Sequence, residues 1–119
     1  MEKSVDQLIN ELVNYLIERG KTMDIGDYKK GNKLFAKIKK VANLLERQGV
    51  RGKEAVARLM KHENPYVRCW AALHSLRYKT EEAERILKDL VDSKEIAGID
   101  ARMHLDIWKR EPFRIPDNW

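Results

Sequence analysis

Three histidines and one cysteine are the side chains of this 119-residue chain that could bind a metal ion or act as a nucleophile. Cys69 and His74 are five positions apart, a spacing that turns the two side chains away from each other on a helix. A zinc site needs four nitrogen or sulfur ligands, or three and a water molecule, and His62 and His104 lie in other segments. We therefore expect no metal site. We expect Cys69 to be an inert buried thiol and His104 to be a partly exposed helix residue.

The carboxylates do not form a recognisable acid–base pair either. Glu81, Glu82 and Glu84 follow Thr80 in the first turn of a predicted helix, where the helix dipole favours negative charge. The six glycines are scattered, and none belongs to a loop that could hold a phosphate. No nucleophile elbow or catalytic triad context is visible. Enzyme is the least supported class, and the sequence predicts a protein without catalysis or cofactor.

The strongest surface signal is an uneven distribution of charge. The net charge is +5, but residues 29–61 hold 11 basic and 2 acidic side chains, whereas residues 1–28 hold 3 basic and 6 acidic ones. Such a block can attract an acidic partner or phosphates, although lysines on a helix can also simply keep a small protein soluble. Within the block, a lysine stripe at helical spacing is extended by two arginines. These residues are Lys29, Lys33, Lys37, Lys40, Arg51 and Arg58.

Composition bounds the class of protein. With 43% hydrophobic and 36% charged residues, the chain can bury a core only through amphipathic elements whose outer faces are charged. No apolar run reaches the roughly 18 residues that a membrane span needs. The first residues do not have the basic and then apolar pattern of a signal peptide, and a lone cysteine suits a reducing compartment. We therefore expect a cytoplasmic protein without membrane contact.

Apolar residues recur with helical period along most of the chain, and no segment alternates as a half-buried strand does. Gly20 is expected to end the first helix, Asp24 or Asp27 to cap the second, and Thr80 and Ser93 to cap the last two. The predicted helices cover about residues 4–19, 24–47, 53–61, 65–77, 80–91 and 93–110. The pattern predicts a single all-α domain of five or six antiparallel helices.

The most specific segment is residues 59–76, where a short helix, a tight turn and a second helix follow one another. Asn64 can cap the second helix, and Pro65 suits its first position because the missing N–H is no loss there. Arg68 is placed to bond the carbonyls of the turn or a neighbouring unit, and two small alanines allow close helix packing. The residues of this motif are Asn64, Pro65, Val67, Arg68, Ala71 and Ala72.

This order of residues resembles a HEAT repeat unit, except that His62 stands where such units usually carry Asp. Residues 27–108 are also similar to a small bacterial family of unknown function with a HEAT/armadillo-like helical fold. The resemblance implies a right-handed stack of helices over residues 1–110, with residues 111–119 an irregular tail packed on it, and it transfers no catalytic residue. The matching residues are Asn32, Leu34, Phe35, Ile38, Leu59, His62, Val67, Arg68, Ala71, Ala72, Glu82, Ala83, Leu87, Ala101 and Leu105.

Taken together, these features predict a non-catalytic protein-binding module, most concretely a bacterial immunity protein, antitoxin-like, that neutralises a toxin domain. The lysine stripe, Arg51 and Arg58 would contact the partner's acidic groups, and Tyr66 at the repeat turn would be an exposed anchor. A basic toxin would instead engage the acidic surface around residues 81–89. The alternative is nucleic-acid binding through the lysine stripe, although the stripe lacks interleaved aromatic side chains for base stacking. We expect a monomer or a weak dimer.

Overall fold

Six α-helices and one short 3-10 helix make up most of the structure, a computed structural model that describes residues 2–112. No strand occurs within that range, so the predicted all-α single domain is confirmed. Residues 113–119, the greater part of the predicted tail, lie outside the described residues. The α-helices are α1 (Val5–Ile25), α2 (Tyr28–Glu46), α3 (Val50–Arg58), α4 (Pro65–Ser75), α5 (Thr80–Asp92) and α6 (Ile96–Arg110), and the 3-10 helix is Leu59–Lys61.

Consecutive helices form three pairs around one hydrophobic core. α1 packs on α2, α3 reaches α4 through the 3-10 helix, and α5 packs on α6. α4 is central, because it contacts α1, α3, α5 and α6. The largest fully buried side chains come from several helices, among them Leu12, Ile38, Val67 and Leu87. The helical spacing of the apolar residues thus brings several faces into a single core.

The prediction that Gly20 ends the first helix is wrong. α1 continues for five residues beyond Gly20 and ends at Gly26, which has a φ of +73° and is the usual left-handed terminator. Gly20 has a packing role instead, since a Cβ there would lie 2.3 Å from Cδ2 of Tyr66. The glycine lets the tyrosine ring rest directly on the backbone of α1.

Two predicted helix caps are also wrong. The cap predicted at Asp27 is confirmed, because the Asp27 side chain accepts a hydrogen bond from the Lys30 N–H. Thr80 is already the first residue of α5, and its hydroxyl donates to the Leu76 carbonyl at 2.7 Å. Ser93 ends α5 rather than beginning α6, and its hydroxyl donates to the Leu90 carbonyl at 2.7 Å. In both cases the hydroxyl donates to a carbonyl of the preceding turn. The Ser93 oxygen also accepts from the backbone N–H of Glu95, which is itself the N-cap residue of α6.

α6 buries its small residues together with His104 and Leu105, and it leaves three large apolar residues exposed. Ile96, Ile99 and Met103 recur at helical spacing, which favours a buried position, but they are exposed, Ile99 to 72%. The reason is a close approach to α5, because a Cβ on Gly98 would lie only 2.3 Å from the carbonyl oxygen of Leu90. Only small side chains fit along that line of contact. The buried residues of α6 are Ala97, Gly98, Ala101, His104 and Leu105.

We predict that Gly98→Ala destabilises the protein by about 2 kcal/mol, as overpacking of a tight contact does. Helix propensity alone would favour alanine by about 1 kcal/mol. The sign of the change in the free energy of unfolding therefore distinguishes a tight helix contact from propensity alone. The measurement is urea unfolding followed by circular dichroism. Ile99→Ala, next to it but exposed, is the control and should stay within about 0.5 kcal/mol of the parent. A Gly98→Ala variant at least as stable as the parent would contradict this packing.

Candidate functional site

The basic residues of α2 stand on the side of the helix that faces away from the core. Leu34, Ile38 and Leu45 are buried on one side. At about 100° per residue, the predicted lysine stripe falls on the opposite side or at its edge. All four of its lysines are exposed. We call this surface the lysine face, formed by Lys29, Lys33, Lys37 and Lys40.

The charge of the lysine face is not neutralised within the described part of the chain. None of its four lysines has a carboxylate of residues 2–112 within 4.0 Å. Lys37 instead places its ammonium 5.7 Å from the ring centroid of Tyr15 on α1. The first turn of α2 contains no acidic residue but does contain Lys29 and Lys30. Positive charge at that end opposes the helix dipole, and the carboxylate of Asp27, the N-cap residue, is the negative charge at the same end.

Arg51 and Arg58 have different surroundings from the lysines. Both are exposed on α3 and line a cavity of about 290 Å³ between that helix and the beginning of α1. Asp6 and Glu54 line the same cavity. Neither arginine has a carboxylate of residues 2–112 within 4.0 Å, although both share this cavity with the two acidic side chains.

The turn between α1 and α2 exposes two large apolar side chains that sequence analysis did not single out. Ile25, the last residue of α1, is 78% exposed, and Tyr28, the first of α2, is 79% exposed. Tyr28 directly precedes Lys29, so an apolar tip adjoins the lysine face. Aromatic and aliphatic anchors beside positive charge are typical of protein-binding surfaces. We call Ile25 and Tyr28 the apolar tip.

Tyr66 is half-buried rather than an exposed anchor. Its ring lies against Gly20, and its hydroxyl donates a hydrogen bond to the carboxylate of Asp24. Burial, and then this bond to a carboxylate, raise the pKa of the Tyr66 phenol. The side chain therefore joins the beginning of α4 to the last turns of α1, which end at the apolar tip.

The turn before α4 is held by hydrogen bonds within its own motif. Asn64 accepts from the backbone N–H of Val67 at 3.2 Å and caps the helix. Arg68 donates to the carbonyls of His62 and Glu63 at 3.0 and 2.7 Å, and the His62 ring accepts from the Asn64 N–H. These side chains bond the turn itself. Pro65 occupies the first position of α4. The motif residues Val67, Ala71 and Ala72 are fully buried.

Nucleophilic and metal-ligating groups do not converge. Cys69 is 4% exposed, and burial raises the pKa of its thiol, which disfavours the reactive thiolate. Within residues 2–112, no three His, Cys, Asp or Glu side chains are grouped as a metal site requires. No helix in the same range is long and apolar enough to cross a membrane.

His104 is buried, contrary to the expectation of a partly exposed residue. Its Nδ1 lies 3.3 Å from the Asp100 carboxylate and 2.9 Å from the Asp100 carbonyl oxygen. Burial lowers the pKa of His104, but the two hydrogen bonds and the charge of Asp100 outweigh it, and the pKa is raised. The spacing of four residues between Asp100 and His104 is a signal that sequence analysis missed.

The family of this chain follows from a match to a family model. A family model described as a domain of unknown function, DUF2019, matches residues 6–108. The chain belongs to the DUF2019 family. The match begins in α1 and ends in α6, so the DUF2019 domain includes the lysine face and the apolar tip. None of the curated proteins compared with the chain matches it.

The DUF2019 domain is similar in structure to the protein RPA1889 from Rhodopseudomonas palustris CGA009, known from a crystal structure. The two agree with a TM-score of 0.86 over 95% of this chain and 94% of the other, at 23% sequence identity. At that identity the likeness shows the shared fold alone.

We predict that the Asp100–His104 pair makes stability depend on pH in a defined direction. Because the folded-state pKa of His104 is raised, its contribution is fully present below the ordinary pKa of about 6.5 and is lost as pH rises through the folded-state value. Asp100→Asn should therefore cost more stability at about pH 5.5 than at about pH 8.5. Urea unfolding at both pH values measures this. Asp106→Asn on the same helix is the control, and an equal cost of Asp100→Asn at both pH values would refute the assignment.

Proposed function

We propose that this DUF2019 domain is a non-catalytic protein-binding module. Its most concrete form is a bacterial immunity protein that binds and neutralises a toxin domain with an acidic surface. The lysine face would meet that surface, and the apolar tip would anchor the contact. The observation that carries the proposal is the set of four exposed lysines without an acidic partner on the described part of the chain.

The energetic cost of the lysine face supports a role in binding. Lysine in the first turn of a helix is unfavourable by about 0.3 to 1 kcal/mol through the helix dipole. Lys29 of the lysine face lies there, and the Asp27 carboxylate at the N-cap offsets part of that cost. A surface that only kept the protein soluble could place these charges elsewhere at no such cost. A dense positive surface accelerates association with an acidic partner and selects against basic ones.

We further propose that the three helix pairs stack as in HEAT or armadillo repeats, with a right-handed turn from pair to pair. The support is the motif of residues 59–76, the sequential pairing of the helices and the core that the pairs share. In such stacks each pair covers an apolar face of the next, and the outer faces are left for partners.

Nucleic-acid binding is the second candidate, because Tyr28 next to the lysine face could stack on a base. A substitution at Ile25 distinguishes the two candidate functions, because an exposed isoleucine can anchor a protein contact but has no aromatic face for stacking on a base. Loss of partner binding on both Ile25→Ala and Tyr28→Ala favours a protein partner. A loss on Tyr28→Ala alone favours a nucleic acid.

We predict that the double reversal Lys33→Glu with Lys40→Glu weakens binding to the partner toxin at least about 10-fold, since both attractive charges become repulsive. Lys37 is left intact because of its contact with Tyr15. The candidate partner is the purified product of the neighbouring reading frame, and calorimetry at two salt concentrations gives the affinity.

Two controls accompany this measurement. Arg102→Glu with Lys109→Glu reverses two exposed charges on α6, outside both the lysine face and the acidic surface around residues 81–89, and should leave affinity unchanged. Unchanged circular dichroism shows that the fold persists. Undiminished affinity in the lysine-face variant removes this surface from the proposal. Submicromolar binding to duplex DNA or RNA that falls steeply with salt transfers the function to the second candidate.

A further inference from the structure

The outer side of α6 presents three large apolar side chains to solvent. Ile96, Ile99 and Met103 are 41%, 72% and 53% exposed. At about 100° per residue they lie within about 60° of one another around the helix, and the buried Ala97 and Ala101 lie on the opposite side. Single exposed apolar residues are ordinary, whereas a contiguous apolar surface marks an interaction site. We call Ile96, Ile99 and Met103 the α6 stripe.

A charged residue stands at each end of the α6 stripe, and the two charges have opposite signs. Glu95, the N-cap residue of α6, precedes Ile96, and Arg102 precedes Met103. Both fall on the same flank of the stripe, within about 20° of each other around the helix axis. Both are exposed, and neither has an oppositely charged side chain of residues 2–112 within 4.0 Å.

The stripe and these two charges are complementary to themselves in antiparallel orientation. When two antiparallel helices are related by a two-fold axis, the same flank of each copy meets, and residues equally far before and after the axis lie opposite each other. With the axis at Ile99, Ile96 faces Met103 of the second copy and Glu95 faces Arg102 of the second copy. The members of each pair are three and four positions from Ile99, a mismatch of about 1.5 Å along the helix.

The other flank of the stripe favours the antiparallel over the parallel orientation. It carries Asp100, whose carboxylate lies 3.3 Å from His104 Nδ1 in the same chain. In a parallel pair, opposite flanks would meet, so Arg102 would have to compete with His104 for this carboxylate. Glu95 would then face no basic residue of α6 at all. Only the antiparallel orientation gives both end charges a partner.

We propose that α6 binds α6 of a second copy of this chain, through the α6 stripe, as an antiparallel two-fold dimer. The two copies of Ile99 meet at the axis, Ile96 packs on Met103, and Glu95 pairs with Arg102. A helix of 15 residues is about 22 Å long and about 10 Å wide. Such a contact covers less than the roughly 800 Å² per partner of a standard interface. The dimer is therefore weak, with a dissociation constant of about 10 to 100 µM.

This contact is independent of the protein-binding proposal. The α6 stripe lies on α6 and the lysine face on α2, so the dimer can be present or absent whether or not a toxin is bound. At about 1 µM, well below the expected dissociation constant, the chain is monomeric. Partner binding measured at that concentration is not affected by substitutions at Arg102 that weaken the dimer.

Sedimentation equilibrium of the full chain, from about 5 to about 500 µM, tests the proposal. We expect a reversible equilibrium between monomer and dimer. Ile99→Glu places two carboxylates at the axis and should weaken the dimer at least about 10-fold. Val50→Glu is the matched control, because Val50 on α3 is 73% exposed, and it should leave the dissociation constant unchanged.

An exchange of charges tests the antiparallel pairing. Glu95→Arg and Arg102→Glu should each weaken the dimer about 5-fold, because each creates two pairs of like charges across the interface. The double variant restores opposite charges and should return the dissociation constant to within about twofold of the parent value. Both residues are exposed, so circular dichroism should show an unchanged helical fold in all three variants.

Four outcomes would overturn the proposal. The first is a chain that stays monomeric up to about 500 µM. The second is a dimer that Ile99→Glu leaves intact, which would move the contact to another surface. The third is a double variant no tighter than the single variants, which would exclude the pairing of Glu95 with Arg102. The fourth is a ¹³C-methyl resonance of Met103 that shifts in Trp119→Ala but not with protein concentration, which would assign the stripe to the chain's own last residues.

Discussion

Close approach between helices, allowed only by the absence of a side chain, is the constraint on which this fold depends. Gly98 brings α6 against the Leu90 carbonyl of α5, and Gly52 brings α3 against the Leu45 carbonyl of α2. Each contact fixes the position of a whole helix, because the obstacle on the other side is backbone that cannot rotate away. The exposure of the large apolar residues of α6 follows from the first of these contacts.

Local sequence patterns predicted the helices, whereas contacts between residues distant in sequence could not be predicted. The period of apolar residues located all six helices, and Asn64 with Pro65 marked the beginning of α4. The sequence alone could not predict which face of α6 is buried. Ile96, Ile99 and Met103 are exposed, whereas Ala97, Gly98 and Ala101 are buried, because α5 approaches α6 too closely for large side chains. The bond from Tyr66 to Asp24 joins residues 42 positions apart, and no local rule connects them.

The same distinction applies to the candidate site. The lysine face was visible in the sequence because its residues share one helix, whose geometry places them together. The neighbour of Arg51 on α1, Asp6, was not visible because α1 and α3 meet only in the folded protein. The apolar tip was missed for another reason. Ile25 and Tyr28 lie at helix ends, where periodicity does not distinguish an outward from an inward side chain.

The position of α1 has a consequence for the order in which the protein is completed during synthesis. α1 leaves the ribosome before α2 to α6, yet it packs against α4 and α6 as well as against α2 and α3. A strictly linear array would need only its nearest neighbours. Here the earliest helix keeps part of its apolar surface uncovered until the last helix has emerged. Nascent chains that stop before α6 therefore expose that surface, and premature termination yields products suited to capture by chaperones or proteases.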